Sequence, residues 1–481
     1  MKVLLVAPPK RRQVWAGVPD IFNDKNAYVF PHLGLLYLSS FIKQNTTHEV
    51  HVVDCVAEDL SAEQIRARFQ ELAPDVVGLL AKTHNLIEMH DVARIAKGVN
   101  PKIHVLIGGP HTKAFPEEAI ALTHVDAIAR GDGEHTLADW LSALESGSGF
   151  DQVKGIWYKD GAEVRKNADR EPLHNLDEMP FPDRGAVDVS RYYTPGMKQA
   201  RTTTMISSRG CPYSCSFCNV PKGYRARSAA NIVDEMLDCS ARFGVQEVHF
   251  VDDLFNITAK RVIEISEEMI RRKSKVKWGF KGACTQTTKE MLLAAKEAGC
   301  VKAHFGVETY TPEGLKALSK PSSLDQMFDA FRWTREAGLK SVAYMIVGSP
   351  HEKTREDILG VRSFIRKLDP DFVVYSLYTP YPDAPVFQKG VDLGLWPADV
   401  WTRFMRNPVE DYDLPTAWTQ YLTKKELLDI FKIVHRDFYY NPRVLFRTLL
   451  SIENTADLTR ILKGGLQLFR MEFLKPDVRR I

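Results

Sequence analysis

The sequence predicts two α/β modules in tandem, each built on a parallel sheet, followed by a helical region. Three observations carry this. Up to residue 147, short apolar runs of strand length alternate with amphipathic stretches, the pattern of a doubly wound parallel sheet with helices on both faces. From residue 199 to 390 the alternation resumes through six strand–helix units. Beyond 391 it stops, and tryptophans and helical periodicity replace it. The expected domains are 1–147, a hairpin and linker at 148–198, the second α/β module at 199–390 and a helical C-terminal domain at 391–481.

At 481 residues the chain is long enough for two or three cores. A net charge of +3, with no basic arm, offers nothing for nucleic acid. Seven cysteines without an extracellular pattern suit a reducing compartment, the cytoplasm. The opening apolar run, residues 1–9, is too short for a signal peptide or a membrane span, and it reads as a buried first strand.

In the first module the strands are expected at 2–7, 49–54, 75–80, 103–108 and 126–130, with helices at 33–43, 62–72, 86–100 and 116–122. Ligands of such sheets bind at the carboxyl ends of strands, where Pro8, Asp54, Lys82, Thr83, His84, Gly108, Gly109, His111, Gly131 and Glu134 fall. Glycines there admit a ligand close to the backbone, although Gly-Gly after a strand is also a common turn. Residues 155–164 alternate around Asp160-Gly161 and read as a hairpin. Residues 176–184, punctuated by Pro180 and Pro182, read as a linker.

The second module is expected to place strands at 204–208, 247–251, 277–281, 302–306, 341–347 and 372–377, with helices at 230–243, 259–272, 289–297, 324–337 and 354–367. Its carboxyl ends carry Asp252 and Asp253, Glu308 and Gly348, with Tyr375, Tyr378 and Tyr381 beyond the last strand's middle. The paired carboxylates suit acid–base work, ribose binding or a helix cap. Each tyrosine either faces substrate or packs. In the tail, Trp396, Trp401 and Trp418 accompany helices at 424–441, 442–451 and 458–474. The last is amphipathic and basic, fit for peripheral membrane contact or for closing a core.

Chemistry concentrates between residues 207 and 223. Cys211, Cys215 and Cys218 step by four and then three residues along one short loop, close enough to wrap a single metal centre. A zinc site would want a fourth ligand, yet Cys55, Cys239, Cys284 and Cys300 stand apart. A four-iron, four-sulfur (4Fe-4S) cubane held by three thiolates keeps one iron open.

This Cys-x-x-x-Cys-x-x-Cys run, with Phe217 before its last cysteine, resembles the cluster motif of the radical S-adenosylmethionine (radical SAM) enzymes. The resemblance implies a partial (β/α)6 barrel of the TIM type and an open iron that chelates S-adenosylmethionine. It also implies one-electron cleavage of that molecule to a 5'-deoxyadenosyl radical, fed by a low-potential donor such as flavodoxin or ferredoxin. By the same resemblance Phe217 and Gly348 lie near the adenine, Glu308 contacts S-adenosylmethionine, and Asp252, Asp253 and Tyr378 line the catalytic site.

Pro31-His32-Leu33-Gly34-Leu35, Val76-Val77-Gly78, Gly108-Gly109-Pro110-His111 and Arg130-Gly131-Asp132-Gly133-Glu134 resemble the cobalamin-binding domain that precedes many radical SAM cores. Pro8, Thr83, Gly108, Gly109, His111, Gly131 and Glu134 are then the expected cobalamin contacts. The Asp-x-His-x-x-Gly signature is absent, so no histidine is marked as a lower axial ligand. The two modules together imply a cobalamin-dependent radical SAM methyltransferase acting on an unactivated carbon. A layout somewhat similar to the hopanoid C-3 methylases points to a large or apolar, lipid-like small molecule. Two rivals remain: an oxidative cyclase resembling the anaerobic magnesium-protoporphyrin ester cyclase, and a non-catalytic cobalamin sensor with a structural metal loop.

Overall fold

Strand β1 (Lys2–Ala7) pairs in parallel with β2 (Glu49–Asp54) on one side and β3 (Val76–Leu80) on the other, and its Val3, Leu4, Leu5 and Val6 are fully buried. A central strand of a parallel sheet is covered on both faces, so an unbroken apolar run is what it requires. The computed structural model describes residues 1–12, 14, 29–192 and 201–450, with 452, 462 and 465. They fall into two compact units, the first made of the described residues in 1–14, 29–192 and 399–414, the second of those in 201–398 and 415–481.

In the first unit the sheet continues through β4 (His104–Gly108) and β5 (Ala127–Ala129), both parallel. The hairpin β6 (Ile156–Asp160) and β7 (Glu163–Lys166) then adds antiparallel to β5, giving the order β2-β1-β3-β4-β5-β6-β7. Helix Gly133–Ser146 is additional to the sequence reading: Gly131 and Gly133 disguised its start, yet it buries Leu137, Trp140 and Leu141. The proline-punctuated stretch at 176–184 is packed rather than loose. Leu176, Met179 and Arg184 are buried, and Asp183 accepts from Ser39 Oγ at 2.7 Å and Lys43 Nζ at 2.7 Å. Part of the tail also belongs here, since helix Val400–Arg406 packs on helix Pro116–Ala121 through a unit whose Trp401 and Phe404 are buried.

The second unit holds six parallel strands: β8 (Thr202–Met205), β11 (Glu247–Phe250), β12 (Lys277–Gly282), β13 (Cys300–Glu308), β14 (Lys340–Val347) and β15 (Phe372–Leu377), in the order β15-β14-β13-β12-β11-β8. A two-residue ladder of β9 (Ser208–Arg209) with β10 (Arg225–Ala226) closes the cysteine loop at its base. Side chains alternate, apart from register shifts at Trp278/Gly279 and Gly306/Glu308. One face carries Trp278, Phe280, Phe305, Met345 and Tyr375, all buried beneath helices, with the rings of Phe305 and Phe331 5.4 Å apart. The other face carries His304, Gly306, Tyr344, Ile346 and Ser376, all half-buried. Six strands with helices on one face match the expected partial barrel.

Helix Lys424–Tyr439 covers β15, its His435 ring 4.9 Å from that of Tyr375. The expected helix at 458–474 lies, apart from Leu462 and Gly465, outside the described residues. Among the described residues no helix is long and apolar enough to cross a membrane. Because Phe305 is enclosed between Phe280 and Phe331, Phe305→Ala is expected to destabilise the second unit by about 3–5 kcal/mol in urea unfolding. Tyr421→Ala, at a side chain 45% exposed, is expected to stay within about 0.5 kcal/mol.

Candidate functional site

The cysteine loop is a lasso whose neck is set by Gly210. This residue has φ +85°, and a Cβ there would stand 2.5 Å from the Gly223 carbonyl oxygen. Beside it the Cys211 amide donates to Pro221 at 3.0 Å. Only glycine fits a positive φ pressed against backbone in this way. Further along, the Ser216 amide and hydroxyl donate to Leu318 and Ala317 at 3.0 and 3.2 Å. All three thiols are half-exposed and unbridged, and Phe217 is half-buried among them. Among the described residues no three His, Cys, Asp or Glu side chains surround one point as they would a single ion. A cubane is wider and takes thiolates from separate places on a loop, so the donor set fits it.

Asp252 anchors this loop. Its buried carboxylate accepts from the Ser207 amide at 3.0 Å, from Ser207 Oγ at 2.7 Å and from Ser208 Oγ. Burial pushes its carboxyl up while those donors pull it back. Arg261 reinforces the same turn, donating to the Ser207 carbonyl at 2.9 Å and the Phe255 carbonyl at 3.1 Å. Asp253 is exposed and accepts from the Gly210 amide at 3.1 Å. With both oxygens engaged inside the protein, Asp252 shapes the loop. Tyr378 is 2% exposed, wedged against Trp418 and hydrogen-bonded to Ser216 of the loop. Packing therefore accounts for Tyr378 and also for Tyr375, whereas Tyr381 is exposed.

At the end of β13 the backbone is irregular. Glu308 has φ +68° beside a register shift, and its carboxylate folds back to Lys320 Nζ at 3.2 Å. Gly306 makes that possible, for a Cβ there would stand 2.3 Å from Glu308 Oε1. Burial alone would lower the Lys320 amine, but Glu308 and Cys215 outweigh it and raise it. Lys320 escaped the sequence reading because a lysine twelve residues beyond a strand end carries no signal of its own. Gly348 has φ +77° and sits under Leu427.

In the first unit, the structure brings together Thr83, Gly109 and His111. Thr83 Oγ1 lies 3.1 Å from His111 Nδ1, and Gly109, at φ +127°, would place a Cβ 2.6 Å from the Ala81 carbonyl oxygen. His111 is fully buried, burial lowers its imidazole to about 4, and its Nε2 has no partner among the described residues. Burying such an atom without a partner is costly. Gly108 is in ordinary contact with Ala129, Pro8 is buried after β1, and Gly131 and Glu134 flank the start of helix Gly133–Ser146. Asp54, named among the strand ends, accepts from Tyr192 Oη at 2.9 Å, a partner not singled out in the sequence, with His32 4.0 Å away and held neutral near 4 by burial.

Residues 20–141 match the family described as the B12 binding domain, and residues 205–365 match the Radical SAM superfamily. An uncharacterised methyltransferase of Pyrococcus horikoshii is 28% identical over 474 residues, a match covering 98% of this chain and 99% of that one. An anaerobic magnesium-protoporphyrin IX monomethyl ester cyclase of Rubrivivax gelatinosus is 30% identical over 457 residues, covering 92% of this chain and 78% of that one. The solved structure of the cobalamin-dependent S-adenosylmethionine radical enzyme OxsB, with aqua-cobalamin and S-adenosylmethionine bound, has a TM-score of 0.67 at 18% identity and covers 98% of this chain and 72% of its own. That likeness establishes the shared fold.

Asp252→Ala would strand three buried donors, so it is expected to cost about 3 kcal/mol in urea unfolding. Asp253→Ala frees one amide near the surface and is expected to cost under about 1 kcal/mol. Equal losses in the two variants would contradict the anchoring role of Asp252.

Proposed function

Because this chain belongs to the cobalamin-binding radical SAM enzymes, in which a B12-binding domain precedes the radical SAM domain, we propose that it is a cobalamin-dependent methyltransferase acting on an unactivated carbon. The observation that carries this reading is the end-to-end match to the Pyrococcus methyltransferase, which leaves 1% of that chain uncovered against 22% of the cyclase. The cyclase reading stays second, favoured by its slightly higher identity. Once bound, the cluster supplies the electron that cleaves S-adenosylmethionine and the corrinoid carries the methyl group.

Cys211, Cys215 and Cys218 would hold the cluster, with the lasso set by Gly210 and Asp252 presenting the three thiolates from one side. Phe217 and Gly348 would border the adenine. Glu308 would accept a hydrogen bond from the methionyl amine in place of the one it takes from Lys320, since a carboxylate held at a strand end suits an N–H donor. Asp253, Asp252 and Tyr378 would act on the loop rather than on substrate. Pro8, Thr83, Gly108, Gly109, Gly131 and Glu134 would border the corrinoid, and the orphaned His111 Nε2 would meet one of its polar groups.

All seven cysteines are free, which favours a cytoplasmic location with a low-potential donor such as flavodoxin or ferredoxin. On helix Pro442–Leu450, exposed Phe446, Leu449 and Leu450 beside Arg443 and Arg447 are the described residues best suited to peripheral membrane contact.

Anaerobic incubation of the reconstituted protein with S-adenosylmethionine, a reductant and the substrate is expected to yield 5'-deoxyadenosine together with S-adenosylhomocysteine. The first product alone would favour the cyclase, and neither would leave only the sensor. Alanine at any of the three cysteines is expected to abolish 5'-deoxyadenosine formation.

Glu308→Ala is expected to weaken S-adenosylmethionine binding at least about tenfold while cobalamin stays bound. Gly109→Leu is expected to do the reverse, losing corrinoid absorbance at unchanged iron content.

A further inference from the structure

The face of the second sheet left uncovered by helices holds a polar group that none of these roles uses. Lys281 on β12 is in register with His304 on β13, and Tyr344 on β14 is in register with Gly306, two residues further along β13. His304 Nδ1 lies 3.1 Å from the Tyr344 hydroxyl, and the ring of His249 on β11 lies 4.6 Å from that of His304. Gly279 makes room between them, where a Cβ would already stand 3.3 Å from His249 Nδ1. Lys281, His304 and Tyr344 are largely buried, yet each keeps an accessible part. The group therefore keeps contact with solvent.

Its charge is unbalanced. Burial holds the His249 imidazole down to about 3 and that of His304 well below its usual range, and it pushes the Tyr344 phenol up to about 12. All three are thus neutral near pH 7. Lys281 is the cation among them, its amine lowered by burial, and among the described residues no carboxylate reaches ion-pair distance of its ammonium; Lys302, in register with Gly279, adds a second positive charge beside the two imidazoles. Asp253 and Asp252 act on Lys281 only through space, and Asp252 already serves Ser207 and Ser208. Lys320, by contrast, is paired with Glu308. A buried cation without a counterion is destabilising, and it makes physical sense where a ligand brings the anion. The His304–Tyr344 contact runs in either direction; in the tautomer where Tyr344 donates to Nδ1, the ring proton of His304 sits on Nε2 and adds a second donor. Further along the same face, Ile346 and the 40%-exposed Val374 offer apolar contact.

We propose that Lys281, His304 and Tyr344 form an oxyanion subsite for the substrate, so that the molecule methylated has an apolar body and carries a carboxylate or a phosphate. This rests on the reading of the chain as a radical SAM methyltransferase and specifies the substrate class of that site. The ammonium supplies charge, the imidazole direction, and Tyr344 fixes the imidazole.

The test is calorimetric titration of the anaerobically reconstituted full-length protein with inorganic phosphate and, separately, with acetate. The wild type is expected to bind at least one of them, and the tighter one indicates whether the substrate's group is phosphate or carboxylate. Lys281→Met is expected to weaken that binding at least about tenfold at wild-type iron and corrinoid content, while Lys281→Arg stays within about threefold. Should Lys281→Met fail to fold, His304→Leu is expected to show the same weakening. The proposal is overturned if the wild type binds neither anion, if the folded variant binds as tightly as the wild type, or if S-adenosylmethionine displaces the anion, which would assign Lys281 to the cofactor. None of these results touches the methyl-transfer reading, which is scored by S-adenosylhomocysteine.

Discussion

Parallel strand pairing is the constraint from which the rest of each unit follows. Strands running the same way must be joined by crossovers that lie over the sheet, and their carboxyl ends must all arrive at one edge. In the first unit that edge gathers Pro8, Asp54, Thr83 and Gly109 from four strands. In the second it gathers the Ser207–Gly210 turn, Asp252, Glu308 and Gly348. Residues scattered through more than a hundred positions become neighbours because the strands have no other way to pair.

Charge at these edges is then sorted by whether the protein neutralises it. Asp54 is used up by Tyr192 and by the amides of Val56 and Ala57 at 3.0 and 3.1 Å. Asp252 is used up by two serines, and Glu308 is balanced by Lys320 within the unit. Carboxylates of the first kind hold backbone in place, since moving them would orphan several donors at once. The Glu308–Lys320 pair is different in kind, a single ion pair that a competing N–H donor can replace. His111 Nε2 and Lys281 complete the series as polar groups that the described residues leave unanswered.

Much of this was legible in the sequence. The strands were, because a buried parallel strand needs a short continuous apolar run and tolerates little else. The cysteine spacing was, because three thiolates on one loop have few other uses. Helix Gly133–Ser146 was obscured by glycines that serve its approach, and the stretch at 176–184 resembled a linker because its prolines hide contacts made through Leu176, Met179 and Asp183. The tyrosines after β15 are ambiguous in sequence, since an aromatic ring packs as readily as it lines a pocket. The period-two series on β13, Lys302, His304, Gly306 and Glu308, without an apolar side chain, was a signal available from the start: on a barrel strand that period marks the face turned away from the helices.

The sequence by itself determined the two α/β modules, the cluster motif and the strand ends at which chemistry collects, because these depend on local periodicity and on donor spacing along one loop. Only the tertiary structure decided what each strand-end residue touches. Whether Asp252 meets a substrate or a serine, whether Tyr378 faces a cavity or Trp418, and whether Lys281 has a counterion are matters of contacts between strands distant in the chain. Such contacts come from register and packing, and no short window of sequence contains them.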